Sequence, residues 1–139
     1  PKGLVKLTFL GRFNQGLPDG VLPSQLSSLT FGGWFRQRMS ALSLPQALTS
    51  LTFGDRFNDA LPVGALPSTL VTLTLGSEYN RPLAAGVLPS GLTSLSLGWK
   101  FNRPLLPGVL PLSLRTLRLT RAEQSELLHE GGLPSGCTV

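Results

Sequence analysis

The chain has 139 residues, enough for one domain, and only 14% of them are charged, whereas 16 are Gly and 12 are Pro. Scarce charge argues against a disordered polar segment, and frequent Gly and Pro indicate many turns. The 12 basic and 7 acidic residues give a net charge of +5, but they are scattered and give no specific nucleic-acid signal. Cys137 is the single cysteine, which excludes an internal disulfide, and no apolar run is long enough for a membrane span.

A repeat of 22 residues runs from residue 1 to about residue 130 without an insertion. It is marked by a constant step between six prolines: Pro1, Pro23, Pro45, Pro67, Pro89 and Pro111. This periodicity predicts a single solenoid domain over residues 1–139. Its predicted repeats are 1–22, 23–44, 45–66, 67–88 and 89–110, followed by a capping unit at 111–134 and a tail at 135–139.

Each unit is predicted to begin with a short β-strand. In the pattern L-x-x-L-x-[F/L], apolar residues alternate with Ser or Thr, so one face points inward and the other outward. A glycine follows, as at Gly54 and Gly76, where we expect it to permit a turn. One coil of this size cannot bury its own apolar face, but stacked coils bury a continuous core. The pattern therefore predicts about six stacked coils with parallel strands.

An aromatic column and a neighbouring Asn column complete the unit. The aromatic column holds Phe13, Phe35, Phe57, Tyr79 and Phe101. The Asn column beside it holds Asn14, Asn58, Asn80 and Asn102, with Arg36 in the second unit. The whole unit reads L-x-x-L-x-[F/L]-G-x-x-[F/Y]-N-x-x-L-x-x-G-[V/A]-L-P, and its Phe-Asn pairs at 57–58 and 101–102 resemble the FNIP repeat. That family is a 22-residue relative of leucine-rich repeats, so the resemblance implies a leucine-rich-repeat-like solenoid that serves as an interaction module. The second unit departs from the pattern at residues 36–39, and the sixth departs at 123–124.

The two ends of the solenoid differ in sequence. Thr120 to Glu123 predict a capping box, and a short amphipathic C-terminal capping helix would cover the open core with Leu127 and Leu128. No equivalent segment precedes Pro1. We therefore expect an N-terminal solenoid edge that is covered by missing sequence, a second domain or a partner.

Side chains that could carry catalysis are scarce. His129 is the only histidine and has no partner at metal-ligand spacing, so we expect no metal site, no cofactor and no enzyme activity. Asp55 and Asp59 lie in a turn beside Arg56 and are expected to be solvated charges. The Asn column is interpreted as buried amides that pair with loop backbone groups of adjacent coils, because such groups must be satisfied.

The outward face of the strands carries a column of hydroxyl side chains. Its members are Thr8, Thr30, Thr52, Thr74 and Ser96. A second column two residues earlier is also rich in Ser and Thr, so the two form a nearly uncharged lattice with a predicted spacing of about 4.8 Å by 7 Å. Such a lattice resembles the faces of some ice-binding solenoids. The alternative is that Ser and Thr simply suit exposed parallel strands.

Two groups of residues are candidate protein-binding sites. The first is Trp34, Arg36 and Arg38, where the second unit breaks the repeat; simple repeat drift is the alternative explanation. We expect Trp34 to be sandwiched between arginines of the neighbouring coils. The second group lies near the C-terminal cap and consists of Arg115, Arg118 and Arg121.

The leading functional hypothesis is a non-catalytic repeat scaffold that mediates protein–protein interaction, with a structural subunit of a larger assembly as one form of it. A solenoid presents a pre-ordered face, so little entropy is lost when a partner docks. The alternative hypothesis, from a different class, is ice or crystalline-surface binding through the Ser/Thr lattice.

Overall fold

The computed structural model describes residues 3–139 as a stack of six coils. The strands are β1 (Lys6–Phe9), β2 (Ser28–Phe31), β3 (Ser50–Thr52), β4 (Thr72–Thr74), β5 (Ser94–Ser96) and β6 (Thr116–Arg118). Two short 3-10 helices, η1 (Met39–Ala41) and η2 (Ala122–Leu127), are the helical elements of this part of the chain. Pro1 and Lys2 lie outside the described residues, and so does the start of the first predicted repeat.

The strands form one parallel six-stranded sheet in chain order. Each strand pairs with the residues 22 positions further on, as in Leu7 with Leu29 and Leu29 with Leu51. The register follows from the repeat, because a one-residue slip would turn every buried leucine outward. The predicted leucine-rich-repeat-like solenoid is confirmed.

The core consists of side-chain columns that run the length of the stack. Leu29, Leu51 and Leu73 of the strands have no exposed surface. The rings of Phe35, Phe57, Tyr79 and Phe101 are also fully buried, and their centroids are 6.0–6.4 Å apart with nearly parallel planes. The rings of Phe35, Phe57 and Tyr79 are each covered on both sides by rings of adjacent coils, so burial in this fold depends on coil stacking.

The coils fan out away from the sheet. Parallel strands lie about 4.8 Å apart. The Phe31 and Phe53 rings are separated by 5.7 Å, and the deeper pair Phe35 and Phe57 by 6.4 Å. The spacing therefore widens from the strands toward the opposite side. We infer from this widening that the solenoid curves, with the strand sheet on its concave face.

The glycines after the strands allow close stacking rather than an unusual backbone conformation. Among residues 3–139 a positive φ occurs at other glycines, and Gly54 and Gly76 are not among them. A Cβ added to Gly76 would overlap the carbonyl oxygen of Gly54, one coil earlier. The expectation that these positions need the conformational freedom of Gly is wrong. They need its missing side chain.

The C-terminal segment forms a 3-10 helix in the sixth coil, where the sequence predicts an amphipathic capping helix. Leu127 and Leu128 are half-buried against the core, and Leu128 pairs with Leu105 through an isolated parallel bridge. The capping box differs from the predicted one. The side-chain oxygen of Gln124, not of Glu123, accepts hydrogen bonds from the backbone N–H groups of Thr120 and Arg121, both at 2.9 Å.

The tail after the sixth coil adds to the edge of the sheet. The Thr138 N–H donates to the Arg115 carbonyl at 2.9 Å, and the Leu117 N–H donates to the Thr138 carbonyl at 2.8 Å. These bonds form a parallel bridge between Thr138 and Thr116. The tail therefore pairs the backbone N–H of Leu117, whose side chain is fully buried.

The N-terminal end of the described chain is less well covered. β1 is an edge strand of the sheet. Leu7, Phe9 and Phe13 are half-buried, whereas Phe31 and Phe35 in the next coil are fully enclosed. The first coil therefore presents a partly exposed apolar surface at this end.

Candidate protein-interaction surfaces

The Asn column joins neighbouring coils through backbone hydrogen bonds. The Asn58 Oδ1 accepts from the Asn80 N–H at 2.9 Å, and the Asn80 Oδ1 accepts from the Asn102 N–H at the same distance. The predicted pairing with loop backbone groups is confirmed. The predicted burial is wrong, because Asn58 and Asn102 are exposed. The side-chain oxygens of Asn14, Asn58 and Asn80 are occupied within the stack, so these residues have a structural role.

The turns that follow the strands stack into a surface that we call the turn ridge. It comprises residues 11–12, 33–34, 55–56, 77–78, 99–100 and 121. Trp34 lies on this ridge with 43% of its surface exposed. The guanidinium carbons of Arg12 and Arg56 are 5.1 Å and 3.8 Å from its ring centroid. The predicted sandwich of Trp34 between two arginines is confirmed.

A second exposed tryptophan lies at the other end of the turn ridge. Trp99 is 59% exposed, and the guanidinium carbon of Arg121 is 5.3 Å from its ring centroid. The Arg121 Nε donates to the Trp99 carbonyl at 2.7 Å. Beside it, the Lys100 ammonium and the Glu78 carboxylate are 3.8 Å apart. Sequence reasoning missed Trp99 because the residues at equivalent positions of the other coils share no chemical character with it. These residues are Gly11, Gly33, Asp55, Ser77 and Arg121.

The break of the repeat in the second coil leaves the core intact. Met39 takes the place of a leucine and is buried, and its N–H donates to the Asp59 carboxylate at 2.8 Å. The Gln37 side chain donates to the Asn14 carbonyl at 3.0 Å. Arg36 and Arg38 remain exposed. The departure from the repeat therefore alters the surface and hardly affects the interior.

The three arginines of the C-terminal group contact different neighbours. The Arg115 Nη1 donates to the carbonyls of Leu112 and Leu114 at 3.0 and 3.1 Å. Arg118 is exposed on the outer face of β6. Arg121 stacks on Trp99 and belongs to the turn ridge. The three arginines are close in sequence, but each has different neighbours in the structure.

The hydroxyl column lies in register on the concave face. Thr30, Thr52 and Thr74 are directly paired across β2, β3 and β4. The column continues from Thr8 at one end to Ser96, and Arg118 follows in β6. The middle members are half-buried, and Thr8 is exposed. The strand face is a regular hydroxyl surface on an inwardly curved sheet.

Tyr79 is the one aromatic residue of the buried column with a polar atom. Its hydroxyl has no hydrogen-bond partner among residues 3–139. Burial raises the pKa of this hydroxyl far above its usual value, opposed by the Arg81 charge and reinforced by Asp59. A phenol in this environment stays protonated and acts as a core side chain.

The two acidic residues of the third coil accept hydrogen bonds within the stack. Asp55 accepts a hydrogen bond from the Ser77 hydroxyl at 3.0 Å. Asp59 is half-buried and accepts a hydrogen bond from the Met39 N–H. Asp55 is exposed, as expected of a solvated charge, whereas the expectation is wrong for Asp59, which is partly buried. Over residues 3–139 there is no group of three or more His, Cys, Asp or Glu side chains that could hold a metal ion. The same residues contain no helix of the length and apolar character that crossing a bilayer requires.

Comparison with known proteins supports the repeat. A family model described as "FNIP Repeat" matches residues 1–34, 35–78 and 79–121. The chain is similar to the crystal structure of CroV588, described as "a novel circular LRR protein structure", with a TM-score of 0.89 and 40% sequence identity. The match covers 99% of this chain and 20% of that one, so the chain spans about a fifth of the length of its structural neighbour. No curated protein matches the sequence.

Proposed function

This chain belongs to the FNIP repeat family, and on that basis we propose that it is a non-catalytic repeat scaffold that mediates protein–protein interaction. The observation that carries the proposal is the fixed stack of coils, which holds Trp34, Arg36 and Arg38 exposed above a fully buried core. Trp and Arg contribute strongly to protein interfaces. A rigid stack holds them in place before binding, which reduces the entropy lost on association.

A structural subunit of a larger assembly is one form of this function. The neighbouring structure is described as circular, and this chain corresponds to a fifth of its length. A stack whose coils are spaced more widely away from the sheet is compatible with such a ring. The half-buried Leu7, Phe9 and Phe13 support the proposal that further coils or a partner cover the N-terminal end.

The test is co-purification of the native protein after chemical cross-linking, with the partner identified by mass spectrometry. The double variant Arg36→Glu/Arg38→Glu reverses two exposed charges, and we expect it to recover at least ten-fold less partner. Arg81→Glu/Arg103→Glu is the control with the same change of charge, because both arginines are also exposed, on other coils. Unchanged recovery excludes the second coil as the contact, and absence of any specific partner contradicts the scaffold proposal.

Ice or crystalline-surface binding is the second candidate, and the in-register column of Thr30, Thr52 and Thr74 is the observation that favours it. The curvature of the sheet counts against it, because a concave face matches a flat crystal surface over only a few strands. Thermal hysteresis of the wild-type protein is the measurement. If hysteresis occurs, Thr52→Lys/Thr74→Lys should abolish it; if none occurs, the candidate is rejected.

A further inference from the structure

We infer that the turn ridge binds an extended acidic segment of a partner protein, with carboxylates at two positions separated by about five or six residues. The inference rests on the proposed function and specifies the chemistry of the partner. It is carried by the two exposed tryptophans, by the arginines stacked on them and by the distance between the two groups.

The tryptophans are exceptions among the aromatic residues of this chain. The rings of the Phe and Tyr residues lie in the core columns, where they are buried or half-buried. Trp34 and Trp99 are the only tryptophans, and both are exposed on the same ridge. Large apolar rings concentrated on one surface are typical of an interaction site.

The arginines on the ridge are already positioned to receive carboxylates. Arg12 and Arg56 stack against the Trp34 ring, and Arg121 stacks against Trp99. Stacking uses the flat face of a guanidinium group and leaves donors in its plane free for a carboxylate. Since the rings already restrict these side chains, a bound carboxylate would cost them little further rotamer freedom.

The charge pattern divides the ridge into two basic centres. Trp34 with its two arginines forms the first centre, and Trp99 with Lys100 and Arg121 forms the second. Two acidic residues lie between them: Asp55, which accepts a hydrogen bond from Ser77, and Glu78, which pairs with Lys100. A partner with carboxylates at both centres and an uncharged stretch between them fits this pattern. A continuous phosphate backbone would place negative charge against Glu78, so the pattern favours a peptide over a nucleic acid.

The separation of the two centres sets the length of the uncharged stretch. Trp34 and Trp99 lie three coils apart, and the aromatic rings beside the ridge are spaced by 6.0–6.4 Å per coil. The centres are therefore about 19 Å apart along the stack, which an extended chain at about 3.3–3.6 Å per residue spans with five or six residues.

Intrinsic fluorescence tests the inference directly, because both tryptophans of the chain belong to the ridge. The full chain is titrated with a synthetic peptide in which two Glu-Glu pairs are separated by five Gly or Ser residues. We expect a saturable change in tryptophan emission that weakens with added salt. The single-tryptophan variants Trp34→Phe and Trp99→Phe should each keep part of the signal, because each reports on one centre.

Variants and control ligands make the result decisive. Arg12→Ala/Arg56→Ala and Arg121→Ala should each raise the dissociation constant about ten-fold, whereas Arg103→Ala, outside the ridge, should leave it unchanged. Circular dichroism of each variant verifies that it is folded. A peptide of the same composition with four consecutive Glu residues should bind more weakly, since it reaches only one centre.

Three outcomes overturn the inference: no saturable change with the spaced peptide, equal binding of the peptide with consecutive Glu residues, or tighter binding of a ten-nucleotide single-stranded oligonucleotide. The last result would assign the ridge to a nucleic acid. Loss of the cross-linked partner through Arg36→Glu/Arg38→Glu, with no peptide response, would leave the scaffold function standing and remove this site. The two proposals can therefore fail separately.

Discussion

The second and sixth coils depart from the repeat in similar ways, and comparing them shows what the stack requires. Both replace the extended loop of the central coils with a 3-10 helix, η1 and η2 respectively. Both also place a glutamine amide against the preceding coil. Gln37 is half-buried and donates to the carbonyl and side-chain oxygens of Asn14, whereas Gln124 is 1% exposed and donates to the carbonyls of Gly98 and Phe101.

The difference follows from the aromatic column. The second coil keeps Phe35 in the core, so its glutamine stays near the surface. The sixth coil has the exposed Glu123 where the others have a ring, and Gln124 fills the interior instead. The fold thus requires hydrogen-bond partners for the backbone groups of each turn. An Asn of the Asn column supplies such a partner in the central coils, and Gln124 supplies one in the sixth coil.

Of the variants proposed here, glycine substitutions should give the largest difference in stability between a central coil and the second coil. A Cβ at Gly76 would overlap the backbone of Gly54, so Gly76→Ala forces neighbouring coils apart. We expect a loss of about 3 kcal/mol in the free energy of unfolding, measured by urea denaturation. Gly33→Ala is the matched control, because nothing lies within 4 Å of a Cβ there. Equal stability of the two variants would contradict the close-stacking role.

The two glutamines should differ in their contribution to stability. Gln124→Ala leaves buried carbonyl and N–H groups of the fifth and sixth coils unpaired, and we expect it to destabilise the protein by about 2–3 kcal/mol. Gln37→Ala removes bonds near the surface and should cost less than about 1 kcal/mol. Urea midpoints at a common m-value give both numbers. A larger effect of Gln37→Ala would reverse the comparison.

Much of the fold is predictable from the sequence because the repeat imposes one register on every column. The core residues, the parallel strands and the sandwich around Trp34 all follow from the 22-residue period and the side-chain character of each column. The prediction is weaker where the period gives no information. The role of Gly76 depends on the distance to the coil below, and the burial of Gln124 depends on a missing ring.

The candidate surfaces show the same limit. The group Arg115, Arg118 and Arg121 is close in sequence, but the structure gives each arginine different neighbours. Conversely, Trp99 joins the same ridge as Trp34 from a column whose other members are small or polar. Sequence reasoning detects deviations within a column. It does not detect two columns that become adjacent at a turn.

Tyr79→Phe, in a central coil, should raise the free energy of unfolding by a small amount, whereas the glycine and glutamine variants lower it. Phenylalanine occupies the equivalent buried position in the second, third and fifth coils, and the Tyr79 hydroxyl is buried without a partner. Removing it should stabilise the protein by about 1 kcal/mol, since the unfolded chain hydrates the hydroxyl and the folded chain does not. A destabilised variant in urea unfolding would mean that the hydroxyl has a partner.

The same residue should make stability depend on pH at the alkaline end. Burial raises the pKa of Tyr79 above that of an unfolded tyrosine, so the folded protein holds the hydroxyl proton more tightly than the unfolded chain does. The stability that depends on this proton is fully present below pH 10 and is lost as the pH rises toward the folded-state pKa. Tyr79 is the only tyrosine, so tyrosinate absorbance at high pH reports on it alone. We expect that absorbance to appear together with unfolding, and Tyr79→Phe to retain more of its stability above pH 10. Tyrosinate absorbance with an ordinary midpoint in the still-folded protein would show that water reaches the hydroxyl.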